Sequence, residues 1–328
     1  MEANQIQSYL AALPGWEQSR VGDLALIGQG WESKIYGFTV TLPDSTLDLA
    51  LRMYTGDDGP DKALRESGGM PQLRTVGYPV PQILLFELNP APLGLPFVVM
   101  ERITGSDLWS EMHSHPEERS DYERVLGDLL VELHRLEWRP FLAEGDPVPR
   151  QSHDVMRRNL GLWSEVVTAV PAAGFAEALN WFSARLDDVA PLQPAVTHND
   201  FHPGNILITP EGSVFVIDWT ALAVSDPRLD LAWTLMLMEL GDGAEPRQRI
   251  LERYAAELSI DDLDYFMAAA CVKRLYSLVV SLTHGPEVLG MRPGAAVEMQ
   301  HQLAGAAGIY SQFTTITGHR LPSFEALR

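Results

Sequence analysis

Cysteine is almost absent from this sequence, which has one, Cys271, among 328 residues. A single thiol excludes an intrachain disulfide framework and a cysteine-built zinc site. Cys271 lies in the apolar run AAACV, which predicts a core residue. The N-terminus also lacks the basic and apolar segments of a signal peptide, and no uncharged apolar run approaches the roughly 20 residues of a membrane span. These absences predict a cytoplasmic protein with no membrane partner.

Basic residues are scarce as well. The chain has 24 Lys and Arg against 44 Asp and Glu, a formal net charge of −20. Because phosphate neutralisation requires clustered cations, nucleic acid is not expected as a partner, whereas a cationic small molecule fits the charge. The apolar share of 46% allows a large core. The length exceeds the roughly 250–300 residues at which single cores stop growing, so two lobes are predicted.

The first part of the chain alternates between strand and helix patterns. A helix is predicted over 4–13, followed by the strands LALIG, KIYGFTVTL and LDLALRMY. A second helix is expected around 60–76, and then strands over 82–88 and 96–103. This order predicts an antiparallel sheet with one helix, forming an N-terminal lobe of residues 1–103.

Residues 104–328 are mainly helical by pattern. The predicted helices cover 120–136, 155–168, 174–189, 228–240, 246–258 and 261–283. One short β segment interrupts them, AVTHNDFHPGNILIT followed by a turn and VFVIDW. The predicted fold class is therefore α+β, with a small antiparallel β lobe and a larger helical lobe.

The segment HNDFHPGN, residues 198–205, carries the strongest chemical signal. Asp200 and Asn205 share one loop, and Asp218 ends the strand that returns after a turn. Two carboxylates and an amide oxygen suit Mg²⁺, which prefers oxygen ligands. In phosphoryl transfer such a loop supplies an Asp that accepts a hydroxyl proton, while an Asn and a later Asp hold the metal. His198 begins the pattern and is interpreted as an organiser of the loop.

Other interpretations of this loop remain open. His198, Asp200 and His202 follow each other at every second position, so an extended segment would point them to one face. Such a trio could hold Zn²⁺ or Fe²⁺ in a metal-dependent hydrolase, although Asn205 and Asp218 would then have no role. A hydrogen-bonded turn without chemistry is the other alternative.

Glycines mark a second candidate site in the sequence IGQGWES. Gly28 and Gly30 would let a hairpin backbone approach phosphates, and backbone N–H groups and the Ser33 hydroxyl can donate to them. A strand follows, which excludes a dinucleotide fingerprint, and the G-K-[S/T] of a P-loop is missing. A plain tight turn would also explain the pattern.

A lone cation, Arg52, lies in the apolar strand ALRMY, and Glu66 follows in the predicted helix. A buried Arg needs a carboxylate or a phosphate, so the two are predicted to pair, with a surface Arg on an edge strand as the alternative. Gly68, Gly69 and Pro71 also lie in this helix. Interior Gly costs about 1 and Pro about 3 kcal/mol. We therefore expect the helix to kink or end early and the ion pair to be loose without nucleotide.

From about Leu26 to Trp233 the sequence resembles the aminoglycoside phosphotransferase/choline kinase-like family of small-molecule kinases, which has a protein-kinase-like fold. The match is densest in VTHNDFHPGNILI, VFVIDW and DPRLDLAW. The resemblance implies O-phosphotransfer from ATP or GTP, with Mg²⁺, to a small-molecule hydroxyl. It implies Asp200 as the base, Asn205 and Asp218 as Mg²⁺ ligands, and Gly28–Ser33 over the phosphates. Arg52 departs from the Lys of protein kinases, and Ser33 from their third glycine.

The resemblance also implies a hinge at Met100-Glu101-Arg102-Ile103 that would bind adenine, and an Asp230 that braces the catalytic loop. A catalytically silent kinase-like binding protein is the alternative, against which the presence of all three motif residues argues. The acceptor stays open among aminoglycosides, choline, macrolides, sugars, amino alcohols and hydroxyacyl compounds. Candidate lining residues are Asp107, Trp109, Trp163, Trp233, Arg274 and Tyr276.

Overall fold

The computed structural model describes residues 1–143, 145–242, 244–292 and 294–328. Two compact units divide the chain. The N-terminal unit contains Met1–Gly105 together with Leu207–Thr220 and Pro286–Ala295, and the C-terminal unit contains the remainder. The predicted fold class, a small antiparallel sheet and a larger helical part, is confirmed. The predicted boundary at residue 103 differs from this division, because two later segments belong with the N-terminal unit.

A five-stranded antiparallel sheet forms the centre of the N-terminal unit, in the order β1-β2-β3-β5-β4. Its strands are β1 (Arg20–Gln29), β2 (Ser33–Leu42), β3 (Ser45–Tyr54), β4 (Ile83–Glu87) and β5 (Phe97–Glu101). Helix α1 (Ala3–Ala11) buries Ile6 and Leu10 against this sheet, in one cluster with Phe38, Leu51 and Phe97. The central strand β3 is buried from Leu49 to Tyr54, so any polar residue there must find partners inside the protein.

Helix α2 (Gly59–Thr75) continues through Gly68, Gly69 and Pro71. The expectation that it would end early is wrong, and so is the expectation of a loose ion pair, because the Arg52 and Glu66 side chains lie 2.9 Å apart. Glu66 is completely buried and is also held by Tyr54 and by the backbone of Trp219. Tertiary contacts of this kind outweigh the local helix propensity.

Two segments distant in sequence complete the N-terminal unit. The hairpin of β8 (Ile206–Ile208) and β9 (Val214–Val216) is attached through the Val216 N–H, which donates to the Pro79 carbonyl at 2.7 Å. In Pro286–Ala295, the Arg292 N–H donates to the Trp31 carbonyl at 2.6 Å. No local sequence pattern encodes either attachment, which explains why the predicted boundary missed them.

The C-terminal part of the chain is mainly helical. Its helices are α3 (Leu108–Ser114), α4 (Arg119–His134), α5 (Ser152–Ala169), α6 (Phe175–Arg185), α7 (Arg228–Asp242), α8 (Ala244–Ala255), α9 (Leu263–Thr283), α10 (Ala295–Gln302), α11 (Ala306–Thr317) and α12 (Pro322–Glu325). The six predicted helices are confirmed within a few residues, whereas α3 and the last three were not predicted. The short strand β6 (Ser106–Asp107) precedes α3, and β7 (Ala195–Thr197) pairs antiparallel with β10 (Ala223–Ser225).

Helix α9 forms much of the C-terminal core. It is long and apolar enough to cross a membrane by length and composition alone, but 78% of its most apolar window is buried inside the protein, as in a core helix. Cys271 lies on α9 and is completely buried, which confirms its prediction as a core residue. Burial raises the pKa of its thiol to about 12, so the thiol stays protonated near neutral pH.

Gly105→Ala is expected to destabilise the N-terminal unit by about 1–3 kcal/mol or more. A Cβ at Gly105 would lie 2.7 Å from the Ile208 carbonyl carbon, and backbone cannot move aside as a flexible side chain can. Gly68→Ala is the matched control, because its Cβ would meet nothing within 4 Å and alanine favours the helix by about 1 kcal/mol. Urea unfolding should therefore give opposite signs for the two variants. Equal effects would contradict the close approach at Gly105.

Candidate functional site

The loop of residues 198–205 follows β7 and is braced by Asp230 in the first turn of α7. The two Asp230 oxygens accept the backbone N–H groups of His198 and Asn199, each at 2.6 Å. Asp230 is fully buried, and His134 lies 3.4 Å from it. Asn199 adopts a left-handed φ of 62°, a conformation that costs a non-glycine residue energy and that these bonds stabilise.

Asp200 is fixed at one carboxylate oxygen and at its backbone. The Trp233 indole donates to Asp200 Oδ1 at 2.8 Å, and the Asn205 Nδ2 donates to the Asp200 carbonyl at 2.9 Å. The Asn205 amide group therefore directs its own carbonyl oxygen away from Asp200. Since the Asp200 side chain is 43% exposed, its carboxylate is within reach of a substrate hydroxyl.

The two histidines of this loop accept hydrogen bonds from its backbone N–H groups. His198 is completely buried, and its Nδ1 accepts the Asp200 N–H at 3.3 Å. The His202 Nδ1 accepts the Gly204 N–H at 3.0 Å. Within the described parts of the chain, no group of three or more His, Cys, Asp or Glu side chains is arranged to hold a metal ion. His198, Asp200 and His202 are thus not brought together as such a group.

The second group of polar residues lies in the N-terminal unit, and we call it the Arg52 cluster: Arg52, Glu66, Asp218, Tyr54 and Ser33. Arg52 donates from Nη1 to Glu66 at 2.9 Å, from Nη2 to Asp218 at 2.7 Å and from Nε to the Ser33 hydroxyl at 3.2 Å. Glu66 also accepts the Tyr54 hydroxyl and the Trp219 N–H. Arg52 is buried on a central strand, so the alternative of a surface Arg on an edge strand is wrong.

Burial and charge compete within the Arg52 cluster. Burial by itself lowers the pKa of Arg52, but the carboxylates of Asp218 and Glu66 raise that pKa well above its ordinary value. Burial raises the pKa of Glu66, Arg52 opposes the rise, and Asp218 adds to it. Two carboxylates thus share one guanidinium, so removal of that cation would leave two repelling negative charges.

Asp218 has a left-handed φ of 67°, which is uncommon for a residue with a Cβ. Its Oδ1 accepts from Arg52 and from the Thr220 hydroxyl, the latter at 3.0 Å. Strained backbone that is held in place by several contacts is concentrated at functional positions. Asp218 and Asn199 both fit that description and lie in the segments that carry the motif, whereas Asp23 and Asp262 have a similar φ outside those segments.

The glycine turn joins β1 to β2 and contains Gly30, with Gly28 just before it in β1. Arg292 holds this turn from a distant part of the chain, because its Nε donates to the Gly30 carbonyl at 2.9 Å. A Cβ added at Gly28 or Gly30 would meet its nearest protein atoms at 3.6 and 3.5 Å, which are ordinary contact distances. The protein itself therefore leaves room for side chains at both glycines.

The predicted hinge segment, residues 100–103, begins with the last two residues of β5 and continues beyond the strand. Met100 is buried, the Glu101 N–H donates to the Gln82 carbonyl at 2.8 Å, and the Arg102 N–H donates to the Asp48 carbonyl at 3.1 Å. These two donors are engaged within the N-terminal unit.

The predicted acceptor-lining residues divide into structural and site residues. Asp107 caps α3 by accepting the Ser110 N–H at 3.0 Å, and the Tyr276 hydroxyl donates to the Val170 carbonyl at 2.8 Å. Trp163 and Trp109 are half-buried on α5 and α3. Arg274 is buried and bonds Gln302; burial lowers its pKa, while Asp200 acts to raise it. Trp233 donates a hydrogen bond from its indole to Asp200.

Several residues that contact the predicted site residues were not predicted from the sequence. In the C-terminal unit, His134 contacts Asp230 and Lys273 contacts Asn199; in the N-terminal unit, Tyr54 contacts Glu66 and Arg292 contacts Gly30. Trp233 was expected to line the acceptor site, and it bonds Asp200 instead. The Lys273 ammonium donates to the Asn199 carbonyl at 2.7 Å and lies 4.5 Å from the centre of the Trp233 ring. A cation above an aromatic ring within the α7–α9 packing is not visible in a one-dimensional pattern.

Comparison with protein families gives one match that covers most of the chain. The family model described as the phosphotransferase enzyme family matches residues 23–265. Among curated proteins, acyl-CoA dehydrogenase family member 11 of Gallus gallus is 28% identical over 271 residues, which cover 74% of this chain and 33% of that protein. The human protein of the same name is 27% identical over 170 residues, which cover 49% of this chain and 21% of the human protein. The chain spans a third or less of the length of these relatives.

Solved structures share the fold at low sequence identity. A Ralstonia eutropha JMP134 protein assigned as an aminoglycoside phosphotransferase has a TM-score of 0.64 at 15% identity, with 97% of this chain and 99% of that chain covered. A thermostable APH(4)-Ia mutant in complex with AMP-PNP and hygromycin B has a TM-score of 0.61 at 18% identity, with 96% of this chain and 98% of that chain covered. The GDP and kanamycin complex of APH(2")-IIIa has a TM-score of 0.63 at 16% identity, with 93% of this chain and 97% of that chain covered.

Proposed function

The chain belongs to the phosphotransferase enzyme family, and from this membership we propose that it transfers the γ-phosphoryl group of ATP or GTP to a hydroxyl group of a small molecule. The observation that carries the proposal is the geometry of Asp200, whose carboxylate is accessible and held by Trp233 while Asp230 braces its loop. A fixed, accessible carboxylate is the group that phosphoryl transfer needs to orient and deprotonate an acceptor.

Within this proposal, Asp200 accepts the acceptor's proton as the hydroxyl oxygen attacks the γ-phosphorus and the bond to the nucleoside diphosphate breaks. His198, Asn199 and Asp230 act on the loop rather than on the substrate. Their hydrogen bonds set the backbone from which the Asp200 side chain extends. The base is therefore pre-positioned before the acceptor binds, which lowers the entropy that the reaction must lose.

Mg²⁺ fits the chemistry of the two residues proposed to hold it. The Asn205 side chain donates its N–H to Asp200 and turns its amide oxygen away, and Asp218 is a carboxylate held by Arg52 and Thr220. Amide and carboxylate oxygens are ligands that this hard cation prefers. When bound, Mg²⁺ would neutralise charge on the triphosphate. Arg52 would add a fixed positive charge in the N-terminal unit.

The glycine turn is proposed to cover the phosphates. The fold leaves room for side chains at Gly28 and Gly30, so their absence is better explained by the close approach of a ligand than by packing. The Ser33 hydroxyl is 2% exposed and already accepts from Arg52, so its proposed contribution is to orient that guanidinium. Adenine or guanine would be bound by the backbone near Ile103.

Two acceptor classes have support from different observations. The net charge of −20 favours a cationic acceptor such as an aminoglycoside or choline, and two structural neighbours are complexes with hygromycin B and kanamycin. The sequence relatives are named acyl-CoA dehydrogenase family members, which favours a hydroxyacyl thioester. The two classes differ in chemistry, so a turnover assay with separate acceptor pools distinguishes them.

The test measures nucleotide turnover with ATP and with GTP, with and without Mg²⁺, against five acceptor pools: aminoglycosides, choline and amino alcohols, macrolides, sugars, and hydroxyacyl thioesters. We expect Mg²⁺-dependent turnover in one pool and a phosphorylated product that is heavier by one phosphoryl group in mass spectrometry. Nucleotide binding without turnover in any pool would favour the silent binding protein. Absence of both binding and turnover would overturn the proposed function.

A further inference from the structure

The Asp200 carboxylate needs a contact that fixes its orientation. Its side chain is 43% exposed, and an exposed side chain is otherwise free to change between staggered rotamers. Trp233 supplies a hydrogen bond of 2.8 Å to Oδ1, whereas the Asn205 Nδ2 is 3.5 Å from Oδ2. The His202 Nε2 lies farther from Oδ1, at 3.8 Å, so the indole bond is the short contact that selects one carboxylate rotamer and leaves Oδ2 for the acceptor.

Trp233 and Asp230 lie three residues apart on α7, and this spacing places them on the same face of the helix. Asp230 binds the loop backbone at His198 and Asn199, while Trp233 binds the carboxylate of the next residue, Asp200. One helix face thus holds both the backbone and the side chain of the proposed base. The indole N–H is a donor only, so it orients the carboxylate without competing for the proton.

Lys273 supports this arrangement from α9. Its ammonium group lies 4.5 Å from the centre of the Trp233 ring and donates to the Asn199 carbonyl at 2.7 Å. A cation over an indole face is a favourable contact, and Trp233 is 8% exposed, so the ring is packed as well as hydrogen-bonded. Lys273 therefore joins the tryptophan ring to the backbone that precedes Asp200.

We propose that Trp233 is the positioning residue of the reaction, holding the Asp200 carboxylate through its indole N–H with Lys273 fixing the ring. This inference rests on the proposed function, because positioning matters only if Asp200 acts on an acceptor. It assigns to Trp233 a role in turnover rather than in binding of the acceptor. Consequently its loss should lower kcat and leave the KM for the acceptor, like that for the nucleotide, nearly unchanged.

Two substitutions separate the hydrogen bond from ring packing. Trp233→Phe keeps an aromatic ring and removes the donor, whereas Trp233→His keeps an N–H at a similar distance from Cβ and removes the larger ring. We expect kcat to fall about 10–100-fold in Trp233→Phe and to recover several-fold in Trp233→His, since misorientation of a reacting group costs up to about 100-fold. Trp181→Phe, a buried tryptophan of the same unit that bonds no catalytic residue, is the control and should keep wild-type kcat.

A nuclear magnetic resonance measurement tests the bond without any acceptor. Of the eight tryptophan indole N–H signals, the one lost in Trp233→Phe should also move when Asp200 is changed to Asn, and it should move little in Trp181→Phe. If that signal ignores Asp200→Asn, or if Trp233→Phe keeps wild-type kcat, the positioning role is wrong. If the signal moves but the wild-type protein turns over no nucleotide with any acceptor pool, the bond exists and the proposed function fails.

Discussion

Asp200→Ala is expected to lower turnover by about 10²–10⁴-fold, the range that a positioned general base contributes. The variant loses the carboxylate that would accept the hydroxyl proton, and it also frees the Trp233 indole from its partner. The ion pairs of the Arg52 cluster join Arg52 to Glu66 and Asp218 within the other unit, so the substitution removes neither of them. Nucleotide affinity should therefore stay within about twofold of wild type.

The measurements are steady-state turnover with the acceptor found in the pool experiment and calorimetric titration with nucleotide. Asp200→Asn is the companion variant, because its amide oxygen can still accept from Trp233 while the amide cannot act as a base. Asp188→Ala controls for the loss of one negative charge, since Asp188 is an exposed acidic residue of the same unit. An Asp200→Ala variant that retains more than about a tenth of wild-type kcat would remove Asp200 from the mechanism.

Glu66→Ala is expected to reduce the free energy of unfolding by about 3–5 kcal/mol, the cost of breaking a buried ion pair on one side. The substitution removes the partner of Arg52 Nη1, of the Tyr54 hydroxyl and of the Trp219 N–H. All three donors lie in a buried region where water cannot replace the carboxylate. Nucleotide binding should weaken as well, because Arg52 loses one of the groups that fix it.

Urea unfolding measures this loss, and a surface ion pair provides the control. Asp121 and Arg124 on α4 lie 2.8 Å apart, close to the 2.9 Å between Arg52 and Glu66, but both are mostly exposed. Asp121→Ala should lower the free energy of unfolding by no more than about 1 kcal/mol, because solvent screens the exposed pair and the first-turn position of Asp121 adds little. The double variant Arg52→Met/Glu66→Leu should lose less than the two single variants combined. Equal losses from Glu66→Ala and Asp121→Ala would show that burial does not determine the energy.

The strand and helix patterns predicted most of the elements, because amphipathic periodicity is a local property of the chain. The unpredicted helices α3 and α10–α12 are short, between 4 and 12 residues, so their periodicity is brief. The error on α2 has the opposite origin. Local propensity argued for an early end after Glu66, but the burial of Glu66 among Arg52, Tyr54 and Trp219 outweighed it.

The sequence by itself determined which residues are the candidates for the chemistry, because His198, Asp200 and Asn205 lie within one loop and Asp218 follows a single hairpin later. Their spacing is local and therefore readable. Only the tertiary structure decided what holds them. Trp233 reaches Asp200 across 33 residues, Asp218 reaches Arg52 across 166, and Arg292 reaches Gly30 across 262. The physical reason is that burial and hydrogen-bond partnership depend on packing between distant segments, which leaves no period or motif in the chain.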